Sequence, residues 1–206
     1  MSALPVILLL FILFFSLTLH EYAHGWVAYK LGDPTAKASG RLTLNPLAHI
    51  DPFGTIILPI LLLIISHWNF SFGWAKPVPI NPYQFKNPKK DILWVGLAGP
   101  LANFFLAIFF ILILKVFNYS FLPEILKEAI VINIIFVVFN LVPIPPLDGS
   151  RIASALLPFK LSLLYRKIEP FGVFIVMFLV MIGFFRWFIL PIVIFILSLL
   201  KIKIVM

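Results

Sequence analysis

The run His20-Glu21-Tyr22-Ala23-His24 carries the residue types that hydrolytic metal chemistry uses, at the spacing that chemistry needs. Residues four apart on a helix lie about 40° apart around the axis and one turn apart along it. Two imidazoles so placed can grip one metal ion. The Glu beside the first can reach a water on that ion and take its proton. The setting sharpens the pattern: residues 4–30 read as one apolar helix of about 40 Å, enough to cross a bilayer. Two His and a Glu at membrane depth are costly unless they pair, bind a metal or face water. Two other readings stand beside this one: polar residues at a helix end that snorkel to the interface, and a metal site without hydrolysis.

A catalytic zinc takes three protein ligands and keeps its fourth position for water. The choice of a third ligand is narrow, because the chain holds only four His and eight acidic residues. His49 and Asp51 fall in a polar loop and His67 ends a short apolar segment. Asp33, Asp91, Glu124, Glu128 and Glu169 lie in polar stretches. Asp148 alone lies in a Pro-rich break of an apolar helix, after Pro143, Pro145 and Pro146 and before Gly149. A carboxylate presented there suggests a ligand; its other reading is an N-cap for a helix starting near Ser150.

The elements that must position these groups are membrane elements. Of 206 residues, 62% are apolar and 12% charged, and the mean hydropathy is +1.10. Soluble domains are about 45–50% apolar and about 25% charged, so water-soluble and disordered classes are excluded. The +8 net charge reads as the lysines and arginines of cytoplasmic loops rather than as a nucleic-acid surface, and no nucleic-acid partner is expected. With no cysteine, disulfides and thiolate zinc sites are excluded. The N-terminal apolar stretch lacks a basic n-region and a cleavage site, and is not read as a signal peptide.

The expected fold is an all-α polytopic membrane protein of about five transmembrane helices, with a re-entrant segment and a small extended element on the cytoplasmic side. Residues 91–117 form a second full span. Residues 129–140 are helix, broken at 143–146 and resumed near Ser150. Residues 171–185 and 187–200 form a pair hinged at Arg186. Residues 54–67 are apolar but reach only about 21 Å as a helix, short of the hydrocarbon thickness. Placing Lys30, Lys37 and Arg41, then Lys76, Lys86, Lys89 and Lys90, then Lys160, Arg166 and Lys167, then Lys201 and Lys203 in the cytoplasm puts 118–128 outside. Residues 54–67 must then enter and leave on one side, returned by an extended 68–80 stretch whose alternating prolines forbid a helix. One membrane-embedded domain covers 1–206, with its core in 4–157 and a C-terminal helix pair in 171–200.

Three ordered motifs carry a family resemblance: His20-Glu21-Tyr22-Ala23-His24; Gly99-Pro100-Leu101-Ala102-Asn103; and Asn140 through Asp148-Gly149. Together they resemble the signatures of the site-2 proteases, intramembrane zinc metalloproteases. The stretches from Gly40 to Pro46 and from Gly73 to Pro79 are similar to the small prokaryotic branch. The resemblance covers about residues 4–157. It implies one zinc on His20, His24 and Asp148, with Glu21 as catalytic base, and cleavage of transmembrane protein substrates within or near the bilayer. Accessory PDZ or CBS domains are not seen in the sequence. A multi-pass protein of the plasma membrane, active toward the cytoplasm, is expected.

The remaining polar residues are read as follows. Asn140 could hold a substrate strand or an oxyanion, or be a satisfied helix Asn. Asn103 shares a face with Gly99 and is expected to bond across a close helix contact, with a place on the substrate side as its other reading. Arg151 reads as an interface charge, and His49 and Asp51 as a capped turn, with gating of the site or binding of a regulatory ion as their other reading. Trp74, Trp94 and Trp187 fit an aromatic belt. A metal transporter would need ionisable residues staged in both membrane halves, and here they gather at one depth. An inactive scaffold is disfavoured by the intact Glu21.

Overall fold

In the computed structural model, residues 3–65, 67, 73–116 and 122–202 are described. Among them the chain is helical without strands. The helices are α1 (Ala3–Lys30), α2 (Thr35–Ala38), α3 (Leu58–Ile65), α4 (Pro88–Val116), α5 (Leu122–Asn140), α6 (Asp148–Leu156), α7 (Phe159–Arg166), α8 (Gly172–Met181) and α9 (Leu190–Leu199). The α4 helix is the centre of the fold and packs against α1, α5 and α6.

The interior inverts the pattern of a water-soluble protein. Ser16, Thr18, His20, His24, Asn103, Asn133 and Asp148 are buried, while Phe11, Phe105, Leu112 and Phe174 face outward. Lipid solvates apolar side chains, so the polar groups collect where they can satisfy one another. A purely apolar core lies further along the same face of α4, from Ala107, Ile111, Ile130, Ile134, Val193 and Leu197.

Within these residues, α1 from Ile7 to Lys30 and all of α4 are each long and apolar enough to cross a membrane. Helices α7 and α8 with the segment from Phe185 to Leu199 make a third candidate, bent by 72°. That is two or three, where the sequence reading expects about five. The α5 helix carries Glu124, Lys127 and Glu128 in its first two turns. The C-terminal bend falls at Gly183 rather than Arg186, because its φ of +86° is open to glycine and strained for other residues.

The short apolar segment is a π-helical turn, Pro52–Ile57, followed by α3. Residue 74, beyond it in sequence, is back beside its start: the Trp74 N–H donates to the Gly54 carbonyl at 3.0 Å. Residues 73–81 that follow have no regular secondary structure. The earlier part of the expected extended stretch, 68–72, and the start of the expected outer loop, 118–121, lie outside the described residues, as do Phe117 and Lys203.

Candidate metal centre

On α1 the helical period brings His20 and His24 to one face, both buried. Asp148 opens α6 as its first residue. The N-cap is Leu147, and Asp148 makes no capping bond. The carboxylate instead turns to α1. Asp148 Oδ2 lies 3.0 Å from His20 Nε2 and 3.1 Å from His24 Nε2, and the two Nε2 atoms are 3.1 Å apart. Among the described residues these three form the group whose donor atoms all lie within 4.8 Å of one another.

The surrounding hydrogen bonds decide which imidazole nitrogen carries its proton. His24 Nδ1 is 2.7 Å from the Val95 carbonyl, which can only accept. His20 Nδ1 faces Asn103 Oδ1. The orientation of that amide is set by its other end, where Asn103 Nδ2 donates to Asn133 Oδ1 at 2.8 Å and to the Ser16 carbonyl at 3.2 Å. Asn133 Nδ2 in turn donates to Ser16 Oγ at 3.0 Å and the Ala129 carbonyl at 2.8 Å. Both rings are therefore protonated at Nδ1 and aim the Nε2 lone pair at the same point as the Asp148 carboxylate. Three lone pairs converging in a buried space call for a cation. Tetrahedral ligands about 2.0–2.1 Å from one zinc stand about 3.3 Å apart, close to the spacing of these donors. The donor set fits the metal.

Glycines let the helices come this close. A Cβ at Gly99 would stand 2.5 Å from His20 Nε2 and nearer still to His24 Nε2. The glycine of the second motif thus makes room for the imidazoles themselves, beyond the close helix approach expected of it.

Glu21 leaves the helix on a neighbouring face and is half-buried. Its Oε2 accepts a 2.9 Å hydrogen bond from the Val78 N–H. Residue 78 is held in turn by its loop. The Lys76 N–H donates to the His49 carbonyl at 2.9 Å, and Arg41 Nη2 donates to the carbonyls of Lys76 at 2.7 Å and Pro77 at 3.3 Å. A cavity of about 360 Å³ opens on this side, lined by His20, Glu21, Trp74, Ala75, Pro77 and Asn140 among others.

His20, Glu21, His24 and Asp148 are thus together, and Asn103 touches the group through His20. Asn140 lines the cavity, but its amide donates to the Phe136 carbonyl at 3.0 Å, as a satisfied helix Asn does. His49 stands apart, bonded to the Thr43 carbonyl at 2.9 Å. Asp51 caps the turn at 52–57 by accepting from the N–H groups of Phe53 and Gly54. His67 is exposed past the end of α3. Arg151 is more than an interface charge: its Nη1 lies 3.3 Å from Asp148 Oδ1, one helical turn away. Asn133 and Val78 were not foreseen. A lone Asn in an apolar helix was the available signal for the first; the second acts through its backbone and left none.

Three convergent donor atoms beside a second carboxylate and a cleft, in a fold of apolar helices, are the parts that metal-assisted hydrolysis at a membrane needs. Residues 116–183 match the model of peptidase family M50. The chain is 39% identical over 196 residues, 89% of its length, to "Putative zinc metalloprotease YwhC" of Bacillus subtilis, 84% of which is covered. It is 33% identical over 144 residues, 65% of its length, to a Rip2 protein of Mycolicibacterium smegmatis named as a zinc metalloprotease in the same form. It is 30% identical over 154 residues, 74% of its length, to "Zinc metalloprotease MJ0392" of Methanocaldococcus jannaschii. It spans 51% of that Rip2 and 35% of MJ0392. No solved structure matches. The chain belongs to peptidase family M50, the site-2 proteases.

Proposed function

We propose that this chain hydrolyses peptide bonds of transmembrane protein substrates within or near the bilayer, as a single membrane-embedded domain. His20, His24 and Asp148 hold one zinc, and Glu21 is the catalytic base. The observation that carries this reading is the convergence of the three donor atoms within 4.8 Å at the edge of a cavity that Glu21 also lines. When bound, zinc supplies Lewis acidity to a peptide carbonyl and makes water a nucleophile near neutral pH. Glu21 takes the proton from the attacking water and returns it to the leaving nitrogen. Asn103 and the Val95 carbonyl keep both imidazoles in the ligating tautomer.

A helix in lipid hides its carbonyls in its own hydrogen bonds, so a substrate must unwind before cleavage. The extended residues 73–80 offer it an edge. The N–H groups of Trp74, Lys76 and Val78 are taken by Gly54, His49 and Glu21. Ala75, between Trp74 and Lys76, lines the cavity and has no backbone partner among the described residues. Pro77 and Pro79 have no N–H, so pairing is confined to the stretch near Ala75. Asn140, on the opposite wall, contacts the bound segment.

The loops rich in Lys and Arg face the cytoplasm, and the active site opens toward that side of the plasma membrane. Residues 54–67 re-enter rather than span, a reading supported by the Trp74–Gly54 contact, which brings the chain after them back to where they start.

The test is Glu21→Gln, which keeps size and hydrogen bonding but abolishes the base. Purified in detergent, it binds zinc like the wild type. Its cleavage of a transmembrane substrate falls by about 10²–10⁴-fold or more. Near-normal cleavage by the zinc-loaded variant excludes the mechanism.

A further inference from the structure

Behind Asp148, away from the proposed catalytic cavity, two smaller cavities flank one contact. Arg166 Nε meets Ser154 Oγ at 3.5 Å, and Ser154 Oγ lies 2.9 Å from Ser162 Oγ. The first cavity, about 250 Å³, gathers polar groups on a partly apolar wall: Arg151, Arg166, Ser150, Ser154, Tyr165 and Glu169 line it beside Ile92 and Pro145. The second, about 240 Å³, shares Ile92, Ser154 and Arg166 with the first and continues along Ala155, Leu157, Phe159 and Leu163. Two guanidinium groups line the first cavity and mostly apolar walls, with Lys89, line the second, so the pair has the chemistry of an amphiphile with an anionic head.

Three features support a built site. Arg166 has no carboxylate within ion-pair distance among the described residues, so its charge is uncompensated by the protein. Arg151 is held at one end by Asp148 Oδ1 and therefore presents the rest of its guanidinium in a fixed direction. Helix α7 exposes Phe159, Leu163 and Leu164 beside Lys160 and Arg166, the pattern of a helix lying in the membrane interface.

We propose that the two cavities form one phospholipid site. The headgroup phosphate sits between Arg151 and Arg166, and an acyl chain lies along Leu157, Phe159 and Leu163. Guanidinium groups suit this role because their N–H forks match phosphate oxygens. Glu169 receives the hydroxyl groups that a glycerol headgroup carries beyond its phosphate. A free phosphate satisfies only the polar half.

Native mass spectrometry of the zinc-loaded chain, released from detergent with added lipid, tests this. Phosphatidylglycerol is retained, while diacylglycerol with the same chains binds at least about tenfold more weakly, since it lacks the charge-assisted bonds. Arg166→Gln weakens phosphatidylglycerol binding by about tenfold. Lys160→Gln, a nearby charge outside both cavities, changes it by less than about twofold. Millimolar inorganic phosphate fails to displace the lipid. Equal retention of diacylglycerol by the wild type overturns the proposal without any variant. Equal effects of Arg166→Gln and Lys160→Gln reduce it to general charge attraction, and displacement by phosphate alone assigns the polar cavity to a free anion instead.

Discussion

The Glu21 carboxylate is held by the backbone of Val78: Oε2 accepts the Val78 N–H at 2.9 Å. With Pro77 and Pro79 on either side, this is the sole N–H in three residues, and it is spent on the proposed catalytic base. Val78→Pro removes the donor, and Val78→Ala keeps it. A hydrogen bond to a charged group contributes about 1.5–3 kcal/mol, so cleavage by Val78→Pro should fall roughly 10–100-fold with zinc content unchanged. Val78→Ala should stay near wild type. Equal losses in the two variants would assign the effect to side-chain packing on Gly25.

Zinc should be present at about one ion per chain and should depend on Asp148 as much as on either histidine. Asp148→Ala, His20→Ala and His24→Ala should each lower occupancy in metal analysis of purified protein. Full occupancy in Asp148→Ala removes it from the ligand set.

In the proposed mechanism Asn103 is a positioning residue. It fixes the His20 tautomer and is itself oriented by Asn133 and Ser16. Loss of such a partner typically costs about 10–100-fold in metal affinity or activity. Asn103→Ala should show that loss in a chelator competition, with helical content retained. Asn140→Ala should leave zinc affinity unaltered, because its amide bonds within its own helix.

Gly99→Ala should be more damaging than Gly96→Ala. The added methyl at 99 collides with both imidazoles, whereas at 96 its nearest neighbours are the Arg151 and Ile152 side chains at 3.2 Å. The expected result is a folded Gly99→Ala protein with little zinc, and a Gly96→Ala protein that binds it. Circular dichroism and metal analysis on the same samples separate the two outcomes.

The chain has no cysteine, so single introduced cysteines report topology directly. Position 87 should label from the cytoplasmic side and position 124 from the outside. Labelling of 87 from the outside alone would mean that residues 54–67 span the membrane.

Some of this site was decided by local chemistry. The four-residue spacing of His20 and His24 puts both rings on one face of any helix, whatever surrounds it, because the helical period does not depend on context. The apolar composition made each intramembrane ionisable residue costly, which is why His20, Glu21, His24 and Asp148 stood out among so few candidates. What no local rule could supply was long-range placement. Asp148 reaches the imidazoles because α4 packs against both α1 and α6 and because Gly99 leaves room there. Arg151 read as an interface charge, since its distance from Asp148 Oδ1 depends on how α6 docks. Val78 acts through a backbone N–H, a group every non-proline residue carries, so its identity could not mark it. The C-terminal bend fell at Gly183 instead of Arg186, because charge marks an interruption in hydropathy, whereas a positive φ marks where the chain turns. Spacing along one helix is local geometry; the meeting of α1, α4 and α6 at one buried point is a property of their packing.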